Sequence, residues 1–159
     1  MTHYFFQFEQ DFVDSLRCIP MLVRLNLDTC GVKLNLVHWS QFNAEERQSL
    51  LEVPCSTVDE IENYRQFLQD LITQKTGQPA TELAIAPNPP WLDPEIIPES
   101  VQSKATETGL KLTQSQWRSL TPIQRFALIK LSRASHENHN FVPALQEFGL
   151  INPKIKESH

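Results

Sequence analysis

The chain has 159 residues, 40% of them hydrophobic, and a formal net charge of −5. That is enough for a single core, and no apolar run approaches the roughly 18–20 residues that cross a bilayer. The acidic balance argues against broad nucleic-acid binding, and only four glycines leave little material for a nucleotide-cradling loop.

Phe5, Phe8, Phe12, Val13, Leu16 and Ile19 recur at near-helical spacing, which predicts an amphipathic helix over about 8–18. Pro20 ends it and opens the next helix, because proline fits a first turn where its missing N–H costs nothing. Gly31 is placed to close that helix in a left-handed conformation. Asn35 then caps a short helix carrying Trp39, and Asn43 caps a third carrying Arg47, Leu50 and Leu51. Thr57 and Glu60 form a capping box. Behind it Val58, Ile61, Tyr64, Phe67, Leu68, Leu71 and Ile72 follow at three- to four-residue spacing, so the longest helix runs over about 57–75 and Gly77 closes it.

Residues 78–98 hold Pro79, Pro87, Pro89, Pro90, Pro94 and Pro98 and predict an extended connector, pinned to the core by Trp91, Leu92, Ile96 and Ile97. Pro98 opens another helix and Gly109 closes it. Thr113 caps a short helix carrying Trp117, and Thr121 followed by Pro122 starts a third. This last helix, 122–133, is apolar almost all round through Ile123, Phe126, Ala127, Leu128, Ile129 and Leu131, the signature of a buried, central helix. The equivalent helix after Asn43 holds Glu45, Glu46 and Glu52 and belongs nearer the surface. Asn140 to Gly149 predicts a short helix with Phe141, Leu145 and Phe148 on one face, and the residues from Asn152 onward are expected to fray. No segment alternates as a strand does. The expected class is all-α, a single-domain helical bundle over 1–159.

The punctuation occurs twice. Residues 19–53 align on 97–131 at a constant offset of 78, without a gap, with nine identities in 35 positions: Ile19, Pro20, Val23, Gly31, Lys33, Leu34, Trp39, Arg47 and Leu50. Chance matching at about one in 15–20 would give roughly two. The pattern reads as an internal duplication of a helix–short helix–helix unit, with repeat 1 over about 19–53 and repeat 2 over about 97–131. Charge divides unequally: residues 44–70 carry a net −5, and residues 101–133 a net +5. Solvated helical faces explain such runs most simply. The sharper reading is a polar protein with one acidic and one basic docking surface, the basic one built from Lys111, Arg118, Lys130 and Arg133.

No catalytic constellation is visible, and no resident cofactor is expected. His136 and His139 have the spacing of two ligands on one helical face, but no third ligand is evident, and a polar turn capping the helix from Asn140 is the simpler reading. Cys18, Cys30 and Cys55 lack the C-x-x-C spacing of a metal or cluster site and fit small buried hydrophobes. The paired Trp39/Arg47 and Trp117/Arg125 keep one spacing, so a shared structural role is expected: guanidinium stacking on the indole, or donation to a helix's carbonyl end. Gly31, Gly109, Pro20 and Pro98 complete that repeated frame. A DNA-reading helix-turn-helix is disfavoured by Ala44-Glu45-Glu46 at the start of its candidate recognition helix. The first residues lack the basic and apolar regions of a signal peptide, so the expected location is the cytoplasm, with no membrane span.

The run from Phe8 through Met21, then Asp28, Cys30-Gly-Val-Lys-Leu34 and Trp39, resembles the nitrate reductase-associated protein family of cyanobacteria and some other bacteria. So does the later run from Trp117 to Ser132, followed by His136-Glu-Asn-His139-Asn-Phe and the residues to Gly149. The resemblance implies a non-enzymatic accessory protein needed for active assimilatory nitrate reductase, a molybdenum and iron–sulfur enzyme fed by ferredoxin. It makes nitrate reductase the expected partner, with ferredoxin a further candidate. It carries over no catalytic residue. Two other classes stand beside it: a small cysteine- or histidine-based redox or metal carrier, and a regulatory module binding a small molecule between the repeats.

Overall fold

The computed structural model describes residues 5–9, 19–133 and 138–151. Among them the regular structure is helical, apart from one isolated antiparallel bridge. The α-helices are α1 (Met21–Cys30), α2 (Leu36–Gln41), α3 (Ala44–Glu52), α4 (Val58–Thr76), α5 (Glu99–Glu107), α6 (Gln114–Ser119), α7 (Pro122–Arg133) and α8 (Phe141–Glu147), with short 3-10 turns at Gln7–Glu9, Pro90–Leu92 and Asn138–Asn140. The helix expected over about 8–18 falls largely on residues outside those described; its described beginning is the 3-10 turn. The described residues form two compact units, one of Phe5, Glu9 and residues 19–87, the other of residues 6–8, 88–133 and 138–151.

In the first unit α1 packs on α3 and α4, and α2 packs on α4. The i, i+3, i+4 rows of α4 bury Tyr64, Leu68, Leu71 and Ile72 against Val23, Leu27, Trp39, Leu50 and Leu51. The same helix satisfies the carbonyl ends of two others, which have no partner within their own helix. Arg65 Nε donates to Cys30 O at the end of α1 (2.8 Å), and the buried Tyr64 hydroxyl donates to Leu50 O near the end of α3 (2.7 Å). Helix α3 buries only Leu50 and Leu51 and exposes Glu45 and Glu52, while Glu46 is half-buried and pairs with Lys75 of α4 at 3.1 Å.

Local capping accounts for most boundaries. Asn43 Oδ1 accepts from Glu46 N while Glu46 Oε1 accepts from Asn43 N, both at 2.8 Å, and Thr57 and Glu60 form the same reciprocal pair. Thr113 with Gln116 and Thr121 with Gln124 do so in the second unit. Pro20 and Pro98 stand one place earlier than expected, as N-cap residues with ψ of 151° and 144°. Their extended ψ keeps them outside the helix while their carbonyls accept its first bonds, from Arg24 N and Gln102 N. Proline brings no side-chain cap, and at α1 the carboxylate of the buried Glu9 takes that place, accepting from Met21 N at 3.1 Å. Asn140 is a further difference: it precedes α8 in a helical conformation and makes no side-chain cap, because the 3-10 turn leads directly into the helix.

In the second unit α7 is central, packing on α5, α8 and both 3-10 turns of the unit. Phe126 through Ile129 and Leu131 are buried, together with Trp117, Val101, Phe141 and Leu145. Of the apolar residues expected to pin the segment 78–98, Trp91 does so, with its ring edge-on to Phe126 at 5.0 Å. Leu92, in the same 3-10 turn, and Ile96, beyond it, instead face solvent, 57% and 66% exposed, and Ile97 is half-buried. The rings of Phe6, Phe8 and Phe148 cluster, and Glu147 accepts from the amides of Gln7 and Phe8.

The cap carboxylates give stability a defined acid dependence. Bonds from backbone amides, that of Asn43 for Glu46 and those of Thr57 and Ser56 for Glu60, hold both carboxyls below their ordinary 4.5. A depressed folded pKa stabilises above the unfolded value, and that contribution disappears as pH falls through the folded value. Replacing both glutamates by glutamine therefore flattens the loss of stability between about pH 5 and pH 3. Urea melts across that range, compared with the parent chain, check this, and parallel curves would contradict it.

Candidate functional site

The arginine–tryptophan pair is built the same way in each unit. The capped turn between a short helix and the next places the arginine one helical turn in, facing back along the short helix. Arg47, on α3, donates through Nε (3.2 Å) and Nη2 (3.0 Å) to Trp39 O at the end of α2, and its guanidinium carbon lies 5.2 Å from the centre of the Trp39 ring. Both alternatives expected for this pair, stacking and carbonyl donation, thus occur together. Arg125, on α7, goes further. Its Nε donates to Trp117 O (3.2 Å), its Nη2 to Leu120 O (2.7 Å) and its Nη1 to Trp91 O (2.8 Å). It is only 7% exposed, and burial pulls its pKa down while the charge of Asp93 opposes that shift. The indoles differ correspondingly. Trp117 Nε1 donates to Asp93 O at 2.9 Å, whereas Trp39 Nε1 is buried without a hydrogen-bond partner among the described residues.

The basic residues singled out in the sequence all belong to the second unit. Arg118, on α6, is exposed and holds Glu95 through two bonds, Nη2–Oε1 at 3.0 Å and Nε–Oε2 at 3.2 Å, and Gln114 donates to the same residue. Glu95 raises the Arg118 pKa through the hydrogen bond first and its charge second. Lys130, half-buried on α7, lies over the ring of Phe126 with Nζ 5.2 Å from its centre. Lys111 lies on the segment between α5 and α6 and Arg133 at the end of α7, both exposed.

Of the candidate ligands, Cys18 and His136 lie outside the described residues, and His139 is exposed in the last 3-10 turn. No group of three or more potential metal ligands forms among the described residues. Cys30 is buried and Cys55 half-buried, and neither is in a disulfide. Desolvation pushes the Cys30 thiol up to about 11 and the Cys55 thiol, with a smaller contribution from Cys30, up to about 12. Both are therefore protonated near neutrality, and thiols of that kind are poor nucleophiles and poor metal ligands.

Two residues not singled out in the sequence organise the backbone. The Gln69 amide bonds both backbone groups of Ala80, accepting from its N (2.8 Å) and donating to its O (2.9 Å). The Gln102 amide does the same to Leu112, at 3.0 and 2.9 Å. A glutamine on a helix reads as a solvated residue; only a neighbouring extended segment gives it this role.

The arrangement is that of a small all-helical protein whose polar networks close helix ends, with exposed basic side chains left on its second unit. The chain belongs to the conserved nitrate reductase-associated protein family, whose sequence model matches residues 5–148. No curated protein and no solved structure matches it. No helix among the described residues is long and apolar enough to cross a membrane.

Unequal engagement of the two arginines predicts unequal costs. Arg125→Met leaves three carbonyls without their donor and is expected to cost about 3–5 kcal/mol, against about 1–2 kcal/mol for Arg47→Met, which frees one. Urea unfolding of the two variants tests the ranking, and equal midpoints with equal slopes would overturn it.

Proposed function

We propose that the protein is a non-catalytic accessory factor of assimilatory nitrate reductase and acts by docking on that enzyme in the cytoplasm. Membership of the nitrate reductase-associated family, over residues 5–148, is the observation that carries this reading. The unequal charge supports it: residues 101–133 carry a net +5 in a chain of net −5. Lys111, Arg118 and Arg133 are exposed there, with Lys130 half-buried beside them in sequence, and these four residues are the proposed docking set. Charge complementarity of this kind sets approach and orientation more than raw affinity. The enzyme it serves is the ferredoxin-fed molybdenum and iron–sulfur type, and ferredoxin is a further candidate for the same basic surface.

We also infer that the chain is a duplicated helix–short helix–helix unit whose copies are joined by residues 78–98. Nine identities at one offset support this, as does the recurrence of the arginine bond to the tryptophan carbonyl eight residues earlier.

The test is to produce nitrate reductase in cells with and without this protein, and to assay it with an artificial electron donor and with ferredoxin. Enzyme made without the protein is expected to be less active. Restoration by adding the purified protein to a ferredoxin assay alone places its action in electron delivery; restoration only by co-production places it in assembly. The charge-reversed pair Lys111→Glu and Arg133→Glu is expected to lower the effect severalfold without changing the urea midpoint. Full activity with both donors in its absence would overturn the proposal.

A further inference from the structure

The two units contain one turn twice, and only one copy is covered. In the first, α1 ends at Gly31, with φ +76°, and Val32 N bonds back to Leu27 O. In the second, α5 is followed by Gly109, with φ +88°, and Leu110 N bonds back to Ala105 O. Both are helix ends in which a left-handed glycine turns the chain into a short extended segment. In the first unit the protein's own residues 81–83 pair with that segment through one isolated antiparallel bridge, Val32 to Glu82. Lys33 N donates to Thr81 O at 2.9 Å, and Leu83 N donates to Gly31 O at 2.7 Å. The strand sits so close that a Cβ on Gly31 would meet Leu83 O at 2.5 Å and the Ile85 side chain at 3.0 Å.

The second copy has the same edge without the strand. Gly109 is exposed and nothing lies within 4 Å of where its Cβ would be, while Gly31 is buried. Leu110 is half-buried where Val32 is 2% exposed. Among the described residues, neither Gly109 O nor Lys111 N, the counterparts of the two paired groups, takes part in a hydrogen bond. Backbone groups alternate sides along an extended segment, so Leu112 faces the other way, and there Gln102 has taken both of its groups. One side of the segment is closed from within and the other is left open.

We propose that the edge Gly109–Lys111 receives an extended segment of a partner protein by strand addition, in the position that residues 81–83 occupy on the first unit. Strand addition takes its affinity from main-chain bonds and its selectivity from alternate side chains. In the first unit the seated segment is Thr81-Glu82-Leu83, with the Leu83 carbonyl and the Ile85 side chain over the glycine and the Glu82 carboxylate accepting from Gln69 at 3.2 Å. The exposed Lys111 on the edge itself favours an acidic residue in the incoming segment.

The test uses the full chain, labelled with nitrogen-15, and a synthetic peptide of the sequence Pro79 to Ala86 as probe. At about millimolar peptide, amide shifts are expected at Gly109, Leu110 and Lys111, with slowed hydrogen exchange at Lys111. The same peptide N-methylated at its leucine, which removes the donor to Gly109 O, is expected to bind about tenfold more weakly or worse. No shift at those three amides, or equal binding of the methylated peptide, would overturn the proposal. So would binding at Gly31–Lys33 in exchange for the chain's own strand. Concentration-dependent dimerisation of the chain alone, with the same three amides shifted, would assign the edge to a second copy and overturn the partner. Because neither nitrate reductase nor its activity enters the measurement, this edge and the accessory role succeed or fail separately.

Discussion

A helix ends with carbonyls that its own backbone cannot satisfy, and this protein is assembled from short helices with many such ends. At several of these ends a side chain from another element supplies the donor. Arg125 is the fullest case: one buried guanidinium binds the end of α6, the turn that follows it and the carbonyl of Trp91 in a distant 3-10 turn. Three separate pieces of backbone are thus positioned against α7 by one planar donor set. Lysine, with a single ammonium on a flexible stem, could not span them. Arg47, Arg65 and Tyr64 do the same work in the first unit with one carbonyl each.

The consequence is a division between rigid frame and open surface. The side chains that would be the chemist's first suspects for function, the buried arginines and tryptophans, are occupied in holding the frame. Desolvation likewise raises the thiol pKa of Cys30 and Cys55, which keeps these two poor nucleophiles near neutrality. On the second unit the side chains of Lys111 and Arg133 and the backbone at Gly109 are exposed.

The two units also show how similar sequence yields unlike results. Trp117 Nε1 has Asp93 O; Trp39 Nε1 has no described partner. Gly31 is covered by the chain's own strand; Gly109 is bare. None of these differences lies in the matched residues themselves. They arise from what each unit's surroundings supply, which an alignment of the two stretches cannot show.

Residue by residue, the sequence determined whatever depends on neighbours within a turn of helix. The starts at Thr57 and at Thr121-Pro122, the left-handed ends at Gly31 and Gly77 and the buried face of α7 follow from local hydrogen bonding and periodicity, and all are as expected. The recurring Trp and Arg were legible as a pair, but not how many carbonyls each arginine would take. Tertiary structure alone decided that Gln69 and Gln102 clamp backbone, that Glu9 caps α1 from 12 residues away, that Leu92 and Ile96 face outward, and that one glycine turn is covered while its counterpart is open. The physical reason is range. A cap is chosen among a few adjacent groups, whereas a backbone partner tens of residues away is fixed only when the whole core has closed.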